Sequence, residues 1–151
     1  MLARRELSVA EVRARLADRE HPAGEIERAI EQLLESGALD DRRVATSYAR
    51  TAATVKGRGR LRVQQELHVM GIAREVAAEA IAEVFADTDE RSLIDKAIQK
   101  KLRGSGTGPP RKLSVQERGR LYQFLMRQGF TPAGISAALQ RIGASPRDDS
   151  F

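Results

Sequence analysis

Cysteine is absent from the 151 residues, and so is tryptophan. Without cysteine there is no disulfide, no thiolate zinc site and no thiol nucleophile. Aromatic residues make up only 4% of the chain. Together with abundant Ala and Leu, this favours helices packed through aliphatic side chains over a β-sandwich. The two histidines, His21 in a turn and His68 on a helix, have no partner at metal-ligand spacing, so neither is expected to hold a metal or act as a base. No apolar run approaches the roughly 20 residues that span a bilayer, and the start, Met1-Leu2-Ala3-Arg4-Arg5-Glu6, lacks the apolar stretch of a signal peptide. G-x-S-x-G, P-loop and paired-carboxylate motifs are missing as well. The expectation is a cytoplasmic protein with no membrane contact, no cofactor, no metal and no enzymatic activity.

What the chain does contain is a hydrophobic fraction of 41%, enough for a core, and an uneven charge distribution. The net charge is +5. Between Glu20 and Asp41 seven acids face one base, Arg28. Between Arg50 and Gln65 there are five bases (Arg50, Lys56, Arg58, Arg60, Arg62) and no acid. Between Lys96 and Arg120 eight bases, among them Lys96, Lys100, Lys101 and Arg118, face only Glu117. Solvated helix faces carry charge runs too, but two basic blocks behind an acidic one point to a surface that meets a polyanion.

A helical period of three- and four-residue steps runs through Val44, Ala45, Tyr48, Ala49, Ala52 and Val55, again through Leu61, Gln64, Leu67 and Met70, and again through Val76, Ala77, Ala80, Ile81 and Val84. Ser8-Val9-Ala10-Glu11 and Ser114-Val115-Gln116-Glu117 are capping boxes. Thr131-Pro132 sets a cap before a first-turn proline, Asp40 or Asp41 can cap the helix that follows, and Gly37, Gly71 and Gly129 stand where helices should stop. The pattern recurs as helix, tight turn, helix: Arg62–Met70 before Gly71-Ile72, Arg118–Gln128 before Gly129-Phe130, and Val12–Arg19 before a less regular turn at His21-Pro22. It predicts an all-α, elongated tandem array of three divergent three-helix repeats: 1–39 with a truncated first helix, 40–87, and 88–143 with a flexible loop at 104–113. A disordered tail follows at 144–151. Leu67, on the apolar stripe beside the Gly71 turn, should be among the most buried residues.

Lys56-Gly57-Arg58-Gly59-Arg60 lacks the ending of a phosphate-binding loop and follows no strand, so it reads as a cationic connector between helices that can hold a phosphate at the next helix start. It is expected to be exposed, so replacing Arg58, Arg60 and Arg62 with Ala should leave the fold intact. Arg62–Phe85 also fits a helix–turn–helix, but Glu75, Glu79 and Glu83 line its second helix and would repel a major groove, so a packing role is preferred.

In order and approximate spacing, Gly37-Ala38-Leu39-Asp40-Asp41, Ala45, Tyr48, Lys56-Gly57-x-Gly59, Arg62, Glu66-Leu67 and Gly71-Ile72 follow the pattern of the RecX family, the regulators of the bacterial RecA recombinase, which the chain therefore resembles. Arg5, Ser8, Glu11 and Leu16 extend the similarity forward; Lys96, Leu102, Leu121, Phe124-Leu125, Arg127, Gly129-Phe130 and Ile135 extend it to the last repeat. Val44 replaces a usual aromatic, and Ala52 and Met70 replace cations. The resemblance implies tandem three-helix repeats and a protein that lies in the groove of the RecA–single-stranded-DNA filament, where it limits strand exchange, ATP hydrolysis and repressor cleavage. It makes the RecA filament the expected partner, with direct contact to single-stranded or duplex DNA open and a monomer as the expected state. The filament- and DNA-binding candidates are Lys56, Arg58, Arg60, Arg62, Lys96, Lys100, Lys101 and Arg118. The runner-up is a free-standing helix–turn–helix DNA-binding regulator.

Overall fold

The structure, a computed structural model, describes residues 5–104 and 113–143. Among them are eight helices and no strand: α1 Val9–Asp18, α2 Ala23–Glu35, α3 Asp41–Thr54, α4 Arg60–Val69, α5 Arg74–Ala86, α6 Glu90–Gly104, α7 Val115–Gln128 and α8 Pro132–Gly143. They group as two, three and three, the all-α repeat expected from the sequence, and Arg5–Leu7 is non-helical where a leading helix of the first group would end. The interior of the 104–113 stretch, with Arg111 and Lys112, and the tail 144–151 lie outside the described residues.

The chain divides into two compact units. One is built from residues up to Thr51 together with Gln64–Val84, the other from Ala52–Val63 together with the residues from Phe85 onward.

In the first unit, Ile26, Ile30 and Leu39 form a buried cluster flanked by Val9, Val12, Leu16 and Leu33. Val44, Ala45, Ala49, Leu67 and Ala80 are buried as well. The start of α1 is fixed by several bonds at once. The Ser8 hydroxyl accepts from the Glu11 N–H at 3.1 Å, and Glu11 Oε1 accepts from the Ser8 N–H at 2.9 Å. Arg5 grips the same carboxylate with two bonds of 2.8 and 2.6 Å and so holds Glu11 below the usual glutamate range. The Val9 N–H donates to Asp41 at 2.9 Å, while Asp40 caps α3 by accepting from the Arg42 and Arg43 N–H groups. Ser8 is fully buried, and its Oγ donates to the Met70 carbonyl at 2.5 Å. Removing that hydroxyl deletes a cap and strands a buried carbonyl. Ser8→Ala should therefore destabilise by about 1–3 kcal/mol in urea denaturation followed by circular dichroism. Ser114→Ala, which breaks the same box at an exposed cap, should cost only about 1 kcal/mol.

In the second unit α6, α7 and α8 pack on one another around Ile94, Leu121, Leu125, Phe130 and Ile135, all buried. Thr131 caps α8 by accepting from the Gly134 N–H at 3.2 Å, and its hydroxyl donates to Glu90 at 2.9 Å.

One interlock occurs in both units. In the first, Gly71 (φ 81°) ends α4 with its N–H on the His68 carbonyl and the Ile72 N–H on the Leu67 carbonyl; a Cβ on it would sit 2.4 Å from Ala10 Cβ. In the second, Gly129 (φ 98°) ends α7 with the same two bonds, to Met126 and Leu125; a Cβ there would sit 2.3 Å from Arg62 Cβ. The carbonyl just before each glycine is taken by the cap of a helix: Met70 by Ser8, and Gln128 by the Gly59 N–H at 2.7 Å. The first repeat has the same turn, with Glu20 (φ 64°) bonded to Ala17 and His21 to Leu16. It is as regular as the others, contrary to expectation. Exposed Glu20 holds the glycine position there, at the cost of about 1 kcal/mol that a side chain incurs in that conformation.

Candidate nucleic-acid interface

The cationic turn between α3 and α4 starts at exposed Lys56. Gly57 reverses the chain with φ 66°, and the Arg58 N–H returns to the Ala52 carbonyl at 2.9 Å. Beyond that point the expectation of a wholly exposed connector is corrected. Gly59 is buried, and a Cβ on it would lie 2.5 Å from the Gly129 carbonyl carbon and oxygen. The Leu61 N–H donates to Gly129 O at 3.0 Å. Half-buried Arg62 donates to Gln128 Oε1 at 2.9 Å and to the Arg127 carbonyl at 3.4 Å. Backbone meets backbone here because both facing residues are glycines. Replacing Arg58, Arg60 and Arg62 together therefore disturbs packing as well as charge.

The eight candidate cations separate into groups. On α6, Lys96 and Lys100 are four residues apart and share a face. With Lys56 they line a hollow of about 510 Å³ whose wall includes Leu93, Phe124 and Gln128. Asp87 and Asp89 also line it, and Asp89 is engaged in capping α6 through the Arg91 N–H and the Ser92 hydroxyl, both at 3.2 Å. Lys101 belongs to a neighbouring hollow of about 470 Å³, lined also by Arg120, Arg127, Leu102 and Glu117. Its ammonium stands 4.8 Å from the centroid of the Phe124 ring, and Phe124 borders both hollows. Arg58, Arg60, Arg62 and Arg118 line neither. Arg60 is exposed with its guanidinium 5.7 Å from the centre of Phe85, and Arg118 turns inward to the Leu139 carbonyl at 3.0 Å, tying α7 to α8.

Six cations and three acids, Asp87, Asp89 and Glu117, thus line two hollows that share one half-buried aromatic. The two basic blocks, far apart in sequence, meet at Lys56, Lys96 and Lys100. Phe124, Arg120 and Arg127 were not among the binding candidates, although Arg120 belongs to the second basic block and Phe124 and Arg127 to the RecX pattern. The signal that could have found them was their spacing: Arg120, Phe124 and Arg127 fall at i, i+4 and i+7 of α7, on one face. Among the described residues no group of His, Cys, Asp or Glu could hold a metal ion, and no helix is long and apolar enough to cross a membrane.

The first three-helix domain of RecX, as a family model, matches residues 1–33, and the RecX second three-helix domain matches residues 40–81. A regulatory protein RecX from Halorhodospira halophila is 32% identical over 149 residues, 99% of this chain and 86% of the relative. The chain belongs to the RecX family. Further RecX relatives agree: that of Vibrio parahaemolyticus is 34% identical over 92% of this chain and 84% of its own, and that of Pelodictyon phaeoclathratiforme 31% over 99% and 88%. The crystal structure of RecX from Lactobacillus salivarius superposes with a TM-score of 0.73 over 90% of this chain and 85% of that one; at 21% identity it supports the RecX fold. These relatives carry the name regulatory protein RecX, and a regulatory role is what membership gives this chain.

Proposed function

We propose that this RecX-family protein binds the RecA–single-stranded-DNA filament and restrains its strand exchange, ATP hydrolysis and coprotease action. It acts as a cytoplasmic monomer without a cofactor. The observation that carries the reading, beside family membership, is the meeting of the two basic blocks in one groove. A filament of protein and single-stranded DNA offers that groove phosphates and acidic protein surface together. The helix–turn–helix alternative gains no support: Glu75, Glu79 and Glu83 on α5 are exposed, and such a face opposes a major groove.

Lys56, Lys96 and Lys100 are exposed, so replacing all three with Ala should leave the helical content and stability close to wild type. Binding to RecA filaments, followed by co-sedimentation across a salt series, should weaken. The salt slope should flatten by roughly 0.7 for each phosphate that is no longer neutralised. Wild-type affinity at all salt concentrations would remove this groove from the filament interface.

A further inference from the structure

Aromatic residues number six in the whole chain, two Tyr and four Phe. Phe130 is fully buried and Phe85 nearly so. Phe124 is different. It is half-buried, it forms a wall common to two hollows, and cations stand on both sides of it: Lys96 and Lys100 in one hollow, Arg120 and Arg127 in the other. Lys101 lies against its ring.

We propose that Phe124 is a base-stacking platform and that the groove takes single-stranded DNA directly, the strand crossing the ring with its backbone held by the flanking lysines and arginines. This deepens the filament reading at the same groove, but it concerns the nucleotide contact alone. The combination required is an aromatic face for a base and a row of cations for the phosphates that flank it. A duplex hides its base faces and cannot use the ring; an acidic peptide has charge but no flat π-surface to lay on it. The ammonium of Lys101 is an exchangeable neighbour. A base that slides onto the ring releases it to the adjacent phosphate, so the cation–π contact of the free protein is traded for stacking plus an ion pair.

The absence of tryptophan makes the test direct. Phe124→Trp places a lone indole at the site. The probes are oligo(dT), an abasic oligonucleotide of the same length and charge, and poly-glutamate, each added to the full-length protein without RecA. Oligo(dT) should bind and quench the indole strongly, the abasic strand should bind more weakly with little quenching, and poly-glutamate should leave the emission nearly unchanged. In the tryptophan-free background, Phe124→Leu should lower oligo(dT) affinity by roughly tenfold or more while Phe124→Tyr retains it. Equal binding of oligo(dT) and the abasic strand, or an unchanged affinity in Phe124→Leu, overturns the stacking platform. Equal quenching by poly-glutamate assigns the groove to acidic protein instead and also overturns it. Because RecA is absent, these failures would leave the filament reading standing. Loss of filament binding with normal oligo(dT) binding would do the reverse.

Discussion

Gly129→Ala is expected to destabilise the second unit by about 3–5 kcal/mol. The residue sits at φ 98°, where a side chain alone costs roughly 1–2 kcal/mol. The larger part is steric. The new Cβ would fall 2.3 Å from Arg62 Cβ and 2.4 Å from Arg62 N, and the second of these is backbone that no rotamer change can move. Relief means separating the α7–α8 turn from the start of α4. That breaks the bonds from the Gly59 N–H to Gln128 and from the Leu61 N–H to Gly129, each worth about 0.5–1.5 kcal/mol. Urea denaturation read by circular dichroism measures the loss, and amide exchange at Leu125 and Phe130 should localise it. Gly119→Ala is the matched control. It lies on the same helix with nothing within 4 Å of a Cβ, and it should stabilise by about 0.5–1 kcal/mol. Similar losses for both substitutions would contradict the interlock.

Leu67→Ala should cost the first unit about 2–5 kcal/mol, the range for a large-to-small change that leaves a cavity. Leu67 has no exposed surface, and its carbonyl takes the Ile72 N–H that closes the Gly71 turn. The residue is thus tied to a fixed turn, and the surroundings have little freedom to collapse into the space its side chain leaves. A cost under about 0.5 kcal/mol would show that α4 runs in a different register. Leu61, which is 43% exposed in the same helix, should lose well under half as much when replaced by Ala.

The local features of this fold were legible in the chain. The two capping boxes and the glycine stops at Gly37, Gly71 and Gly129 depend on residues a few positions apart, and all are present. Leu67 was legible for the same reason, as one position on an apolar stripe. What the chain did not disclose was long-range. Nothing near Gly59 announces that it must be glycine to let Gly129 approach, because the constraint comes from a residue 70 positions away. Glu20 hides a turn equivalent to those at Gly71 and Gly129 because it lacks the glycine that marks them.

The candidate interface divides in the same way. Composition identified the cations, but only packing decides which of them can reach a ligand. Arg62 and Arg118 give their guanidinium groups to carbonyls, whereas Lys56, Lys96 and Lys100 converge from blocks about 40 residues apart. Phe124 entered only as part of the RecX pattern, with nothing beside it in the chain to mark a ligand contact; its half-burial between two hollows becomes visible only once α6 and α7 are packed.

Restraint of RecA is tested most directly by its DNA-dependent ATP hydrolysis. RecA filaments assembled on single-stranded DNA with ATP are mixed with the purified protein up to one molecule per RecA monomer, and hydrolysis and strand exchange are followed together. The account predicts that both fall as the protein is added, and that the Lys56/Lys96/Lys100→Ala variant needs a higher concentration for the same effect. Hydrolysis and strand exchange that stay unchanged at stoichiometric protein would contradict it.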